Sequence, residues 1–180
     1  QGFFLGEHGW YDKRFMYEES LITPLIVKLP NKDSARVNND LVMNLDFAPT
    51  FLDYANTDIA DDIQGESFRK LVSGEVGEWR DAIYYTYYEF PGEHHVKRHH
   101  GVRTDRYKLI HFYYDIEHWE LYDLEKDLSE MNNLYNDANY AEVQEDMHKK
   151  LKEMRTKYGD SDALDKEHLQ RFLKAKGIEK

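Results

Sequence analysis

The sequence predicts mixed α and β structure, in which an antiparallel sheet of about four strands is covered by a long helix. Four short runs rich in β-branched and aromatic residues follow one another between residues 82 and 124, separated by breaks of a few residues. Such short connections favour an antiparallel meander. An amphipathic helix follows, with apolar residues recurring every three or four positions: Tyr140, Val143, Met147, Leu151, Met154 and Tyr158. We expect this stripe to pack on one face of the sheet.

The first part of the chain has weaker patterns. Residues 1–19 form a Gly-containing, charged and aromatic segment, predicted to be a loop that leads into a short helix around Phe15–Leu21. The compact apolar run Leu25–Leu29 ends at Pro30, a pattern that predicts a buried strand. Apolar residues between Leu41 and Ala55 have helical spacing, with Pro49 in the first turn, where proline is tolerated.

The second part of the chain has clearer boundaries between its predicted strands, turns and helices. The predicted strands are Ala82–Glu89, His100–Thr104, Tyr107–Tyr114 and Trp119–Leu124. Turns are expected at residues 105–106 and 115–118, Gly159 should end the long helix, and Gly177 should cap a final amphipathic helix. The change of pattern near Gly74 predicts two domains, residues 1–74 and residues 75–180.

Composition excludes several classes of function. The 180 residues carry a formal net charge of −11, which argues against a general nucleic-acid binder because phosphate contacts need a basic face. A chain this acidic must meet a polyanionic substrate through a local positive patch. The absence of cysteine excludes disulfides and thiolate metal sites. No apolar run reaches 18 residues, so no membrane span is predicted.

One candidate site lies in the glycine-flanked segment from Gly6 to Lys13. An imidazolium at His8 and the ammonium of Lys13 could point into one pocket and donate charge-assisted hydrogen bonds to an oxyanion. A tetrahedral ester needs such donors, since negative charge spreads over its oxygens during transfer. From spacing alone, a solvated loop is the more common explanation of such a pair.

A second candidate site is the segment from Glu93 to Thr104, which concentrates four histidines and three basic residues in an acidic chain. Three interpretations stay open. The segment could be an adventitious transition-metal site, a rim that recognises an anion, or a solvated loop and strand end with no role. The need for positive charge around a polyanionic substrate favours the rim.

The first segment, QGFFLGEHGWYDKRFMYEES followed by TPLIV, resembles the second consensus segment of type I sulfatases, the formylglycine-dependent enzymes of the alkaline phosphatase-like superfamily. The resemblance implies that Gln1 is a ligand of a bound Ca²⁺. It implies that Lys13, four residues before Tyr17-Glu18, contacts the sulfate and the leaving oxygen. His8 would help to bind the sulfate or to protonate the leaving alkoxide. Ile22 departs from the basic residue expected there.

The segments YEFPGEHHVKRHHGVRT and LYDLEKDLSEMNNL resemble the C-terminal subdomain of bacterial carbohydrate sulfatases and arylsulfatases. Residues 1–74 would then be the last part of the α/β catalytic core, with the sheet subdomain following it. The resemblance implies that His95 and His100 contact the sulfated sugar and that Arg103 and Lys108 anchor the sheet. Secondary candidates for the sugar contact are Lys97, Arg98 and His99.

Several parts of such an enzyme are expected to come from elsewhere. The formylglycine nucleophile is made from Cys or Ser in a motif that this sequence does not contain. Calcium takes about six or more oxygen ligands, of which Gln1 supplies one at most. We therefore expect the chain to be a fragment or processed piece, inactive alone, whose partner is the N-terminal part of the same sulfatase.

The expected substrate is a sulfated sugar from a glycosaminoglycan, mucin or algal glycan, met in a periplasmic or secreted location. Two alternatives stay open. One is a non-catalytic module that binds an anionic glycan. The other is a phosphodiesterase or phosphatase of the same superfamily, although those enzymes usually bind two transition metals.

Overall fold

The computed structural model describes residues 2–30, 35–75 and 77–178. The chain divides into two compact units, one of residues 1–23 with 82–180 and one of residues 24–81. This partition differs from the predicted division at Gly74, which concerns the domains of the longer protein and stays a prediction. Within the described residues, no helix has the length and apolar character needed to cross a bilayer.

The larger unit begins with a small hairpin. Strands β1 (Phe4–Leu5) and β2 (Tyr11–Asp12) pair antiparallel, with a 3-10 turn at Glu7–Gly9 between them. A short helix, α1 (Glu18–Leu21), follows, inside the range predicted for a helix.

The four-stranded meander is confirmed. Its strands are β3 (Ala82–Tyr87), β4 (His99–Thr104), β5 (Tyr107–Phe112) and β6 (His118–Asp123). They pair antiparallel in sequence order. Successive side chains therefore alternate between two faces, and both faces are covered.

One face of the sheet packs on the predicted long helix. This helix, α4 (Ala141–Lys157), buries Met147, Leu151 and Met154 against Val102 and Leu109. Helix α5 (Asp162–Lys176) follows, and its N-cap Ser161 accepts a hydrogen bond from the Leu164 amide at 3.2 Å. Gly177 ends α5 with φ 65°, as expected of a left-handed cap.

The other face of the sheet holds the N-terminal segment. Met16 is fully buried against Ile110, Phe112 and Tyr122. Gly101 permits this approach, because a Cβ there would lie 2.6 Å from the Met16 sulfur and 2.4 Å from the Leu109 carbonyl oxygen. The loop that contains Lys13 is thus fixed directly on the sheet.

The smaller unit contains helices α2 (Phe47–Tyr54) and α3 (Arg69–Ser73). Pro49 lies in the first turn of α2, as predicted. Asp46 is fully buried and accepts hydrogen bonds from both terminal nitrogens of Arg80, at 2.5 and 2.7 Å. This ion pair joins the start of α2 to the end of the unit.

The predicted buried strand at Leu25–Leu29 is wrong for this structure. The segment has no strand assignment, and Ile26 is 92% exposed. A strand is stabilised by ladder hydrogen bonds to a neighbour, and the described residues of the 24–81 unit contain no strand that could pair with it. The apolar run therefore stays extended and exposed.

Candidate functional site

Lys13 lies directly after β2, in a compact charged group. Its Nζ is 2.8 Å from Asp12 Oδ1, and the Arg14 guanidinium bonds the other carboxylate oxygen. These two hydrogen bonds hold the pKa of the Asp12 carboxyl below its usual value. With two cations around one anion, this group carries a formal charge of +1, and the Glu93 carboxylate on the wall of the same cavity balances it.

This group lines an open cavity of about 170 Å³ together with the loop at residues 93–96. Lys13 and His95 are both on its wall, so the structure brings together one residue from each predicted motif. Complete ligand pockets typically enclose about 300–1,000 Å³. The cavity therefore accommodates a group such as sulfate or part of a sugar. Its other lining residues are Trp10, Tyr11, Asp12, Arg14, Glu93, His94 and Val96.

His8 points elsewhere. Its ring stacks on Tyr17 with centroids 4.1 Å apart, and its Nε2 lies 3.4 Å from Glu19 Oε2. The side chain is 13% exposed, and its backbone φ of 54° lies in the left-handed region. Among the described residues, His8 is outside the lining of the Lys13 cavity. Gln1, the predicted calcium ligand, lies outside the described residues.

The rest of the His-rich segment is engaged within the protein. Lys97 pairs with Asp115, and its Nζ lies 4.1 Å from the centroid of the Phe90 ring. Arg98 is fully buried and donates from Nε to the Phe90 carbonyl. His99 is also fully buried, and burial lowers its pKa to about 4.

His100 lies on the opposite face of the sheet from His99. It is 2% exposed, and burial lowers its pKa to about 3. A sugar contact by Arg98, His99 or His100 stays a prediction, but it would require these enclosed side chains to open to solvent. His100 instead meets His111, its cross-strand partner, and Asp165 from α5.

A buried ion cluster fixes the Lys13 segment to the sheet. Lys108 is fully buried, with its Nζ 2.7 Å from both Glu18 Oε1 and Glu130 Oε1. Arg103 Nη2 lies 3.0 Å from Glu18 Oε2. This confirms the predicted anchoring by Arg103 and Lys108. Glu18, five residues after Lys13, thereby ties the loop that contains Lys13 to the sheet.

Sequence reasoning missed Glu130, His111, Asp160 and Asp165. Cross-strand pairing of His100 with His111 follows from the hairpin turn at residues 105–106, so that contact had a signal. The acidic partners come from far along the chain, where no local pattern marks them.

The family comparison defines the class of protein. The family described as "N-sulphoglucosamine sulphohydrolase, C-terminal" matches residues 6–157. The chain therefore belongs to this family of sulfatase C-terminal regions.

Two individual relatives show how similar the chain is to known sulfatases. The chain is 50% identical over 171 residues to the N-acetylglucosamine-6-O-sulfatase of Bacteroides thetaiotaomicron, which covers 93% of this chain and 31% of that protein. It is 31% identical over 147 residues to the arylsulfatase of Clostridium perfringens, covering 78% of this chain and 29% of that enzyme. The chain thus spans about a third of the length of these relatives.

Solved structures agree in fold. One of them is the structure of a protein in complex with its substrate D-glucosamine-2-N,6-O-disulfate. Its TM-score is 0.82 at 49% sequence identity, and the match covers 90% of this chain and 34% of that protein's chain. A phosphonate monoester hydrolase of Agrobacterium radiobacter has a TM-score of 0.52 at 27% identity, with 62% of this chain and 24% of its own covered. The fold is accordingly shared with hydrolases of another ester class.

Proposed function

We propose that this chain forms one wall of the active site of a sulfuric ester hydrolase that acts on a sulfated sugar, with a sulfated glucosamine as the first substrate to test. The observation that carries the proposal is the shared cavity of Lys13 and His95. Its support is the 50% identity to an N-acetylglucosamine-6-O-sulfatase and the similarity to a structure holding a glucosamine disulfate.

Lys13 is proposed to act on the sulfate itself. When the bond between sulfur and the sugar oxygen breaks, negative charge grows on that oxygen and stays spread over the other sulfate oxygens. An ammonium donor aimed at these atoms stabilises the transition state more than the ground state. Asp12 holds the Lys13 Nζ at 2.8 Å, which limits how far the ammonium must reorganise during the reaction.

His95 is proposed to contact the sugar, since it is exposed on the same cavity wall. Lys97 stays a prediction as a secondary sugar contact, since its ammonium pairs with Asp115 and it lies outside the described lining of this cavity. The role of His8 as a proton donor stays a prediction. Its ring is stacked on Tyr17 and is not part of the described cavity lining, so it would have to turn to reach a bound sulfate.

The remaining chemistry is proposed to come from the N-terminal part of the same sulfatase. The resemblance assigns it a formylglycine, which supplies the nucleophile, and most ligands of one Ca²⁺, which neutralises sulfate oxygens. Gln1 is the single calcium ligand proposed from this chain.

The test is an activity assay of the chain alone and of the chain reunited with its N-terminal part, on a chromogenic sulfate ester and on N-acetylglucosamine 6-sulfate. We expect turnover only in the reunited protein. Lys13→Ala should then lower kcat by about 10²-fold, as loss of a preorganised donor does. Lys149→Ala, an exposed lysine on α4, is the matched control and should leave kcat unchanged.

Turnover by the chain alone would contradict the division of labour. An unchanged kcat with a raised KM in the Lys13→Ala protein would contradict the transition-state role. Tight glycan binding by the chain alone, with no turnover after reunion, would instead support the non-catalytic binding module. Preference for a phosphate or phosphonate ester would support the related hydrolase class to which the structural similarity also points.

A further inference from the structure

A second cluster of polar side chains lies where β4 meets the start of α5. His100, Asp160 and Asp165 each place one potential ligand atom in it, and these atoms all lie within 4.8 Å of one another. The two aspartates are largely shielded, with side chains 13% and 12% exposed, and the His100 side chain is 3% exposed. The cluster lies on the sheet face opposite His99.

When His111 is neutral, two neighbouring contacts assign the proton of His100 to one ring nitrogen. Glu117 Oε1 lies 2.6 Å from His111 Nε2, so a neutral His111 donates from Nε2 and keeps an acceptor at Nδ1. His100 Nε2 lies 3.2 Å from that Nδ1 and therefore donates to it. With His111 neutral, the proton of His100 is therefore on Nε2, and Nδ1 carries a bare lone pair.

That lone pair has no hydrogen-bond partner among the described residues, although the atom is buried. It lies 3.8 Å from Asp165 Oδ2, so two electron-pair donors face each other without a proton between them. In tetrahedral zinc sites with bonds of about 2.0–2.1 Å, two ligand atoms lie roughly 3.4 Å apart. The observed separation is close to what a shared metal ion requires.

The charges around the cluster leave room for a cation. Asp160, Asp162 and Asp165 surround one guanidinium, that of Arg155, which contacts all three at 3.3, 2.7 and 2.8 Å. The two shielded carboxylates, Asp160 and Asp165, exceed the one arginine by a single formal negative charge, and Asp162, whose side chain is 82% exposed, adds a solvated one. Further charges nearby, among the described residues, include the buried guanidinium of Arg98, which acts on Tyr113, and the Glu117 carboxylate beside His111.

The groups around the ligand atoms resemble the outer shell of a metal site. Tyr113 donates to Asp165 Oδ1 at 3.0 Å, and Tyr84 donates to Asp160. His111 accepts from His100, as carboxylates and carbonyls do behind metal-bound histidines, and this orients the free nitrogen towards the acids.

We propose that His100 Nδ1, Asp160 and Asp165 form a binding site for a divalent first-row transition-metal ion of the zinc class, with water completing the coordination. One imidazole with two carboxylates suits such an ion, whereas Ca²⁺ and Mg²⁺ prefer oxygen ligands alone. The ion would join β4 to α5, and Arg155 would become a neighbour of the bound carboxylates. The inference does not depend on the sulfatase proposal.

The test is titration of the chain with Zn²⁺, followed by calorimetry, and with Co²⁺, followed by its visible absorption. We expect one ion per chain and a Co²⁺ spectrum of low coordination number. His100→Gln should weaken Zn²⁺ binding by at least ten-fold, and His111→Gln by about 10–100-fold, as for lost outer-shell partners. His118→Gln, on the exposed end of β6, is the matched control and should bind as the unchanged chain does.

Three results would overturn the proposal: no Zn²⁺ binding, equal binding by the His100→Gln chain, or stoichiometric displacement of Zn²⁺ by an equal concentration of Ca²⁺. A His94→Gln, His95→Gln double variant that abolishes binding would assign the metal to the exposed loop and would also overturn it. If His100→Gln does not fold, Asp165→Asn, which keeps the side-chain volume, replaces it with the same expected weakening.

Discussion

The two halves of the His-rich segment have similar composition and opposite environments. His94 and His95 lie on the wall of the Lys13 cavity, whereas His99 and His100 are 0% and 2% exposed. The difference arises because β4 begins at His99, and from there the pleat sends alternate side chains to two covered faces. Histidine clustering therefore does not define one site. The exposed half suits ligand binding, and the buried half suits packing and the proposed metal site.

The largest expected effect concerns the buried cations that support this arrangement. Lys108→Ala should lower the free energy of unfolding by about 3–5 kcal/mol, because it leaves the buried carboxylates of Glu18 and Glu130 without their shared partner. Urea unfolding measures the change. Lys126→Ala, whose lysine is 63% exposed, should change stability by less than about 1 kcal/mol. Similar losses for both variants would show that the Lys108 cluster does not hold the sheet.

Substituting the two halves tests the comparison directly. His99→Ala should lower the free energy of unfolding by about 2–4 kcal/mol, because its ring packs on Phe15, Tyr85, Tyr87 and Phe112 and the change leaves a cavity. His95→Ala should stay within about 0.5 kcal/mol of the unchanged chain, as exposed positions do. Equal effects in thermal or urea unfolding would contradict the assigned environments.

The contrast between buried and exposed polar side chains should also appear in the pH dependence of stability, through the buried Glu130. Burial raises its pKa from 4.5 to about 7, so the folded chain retains a proton that the unfolded chain releases. This contribution to stability is present at low pH and is lost as pH rises through about 7. Glu130→Gln should flatten that part of the profile of unfolding free energy. Glu142→Gln, on the exposed start of α4, should leave the profile unchanged, and a slope that survives Glu130→Gln would assign it to another group.

The smallest effect is expected at the cavity rim. In the reunited enzyme, His95→Ala should raise the KM for a sulfated monosaccharide by about 5–10-fold, equivalent to losing roughly 1 kcal/mol of binding. kcat should change little, since the sugar contact is made in both the ground and the transition state. A fall in kcat with an unchanged KM would move His95 from the substrate rim to the chemical step.

The sheet was the most predictable part of the fold, because alternation and short turns specify an antiparallel meander locally. The start of β4 was predicted one residue late, at His100. The sequence analysis therefore placed His99 in a loop and did not predict that it is buried. The strand predicted at Leu25–Leu29 was wrong because an apolar run indicates that a segment tends to be buried, but not which neighbouring strand or helix would bury it. Whether such a run is buried depends on the tertiary packing around it and not on its own sequence.

The candidate site was predictable to a similar extent. Lys13 and His95 were each marked by local motifs and resemblance, and the fold brings them to one cavity. Neither the stacking of His8 on Tyr17 nor the approach of Asp160 and Asp165 to His100 has a local signal. Both depend on how the hairpin and the two C-terminal helices pack on the sheet.

The most direct test of the shared cavity is a double-mutant cycle between Lys13 and His95, measured as kcat/KM of the reunited enzyme on a sulfated glucosamine. Residues that line one cavity and position the same substrate molecule should be coupled, so the effects of Lys13→Ala and His95→Ala should depart from additivity by at least about 0.5 kcal/mol. Additive effects, or an unchanged kcat/KM in both single variants, would contradict the claim that these two side chains form one wall of the pocket.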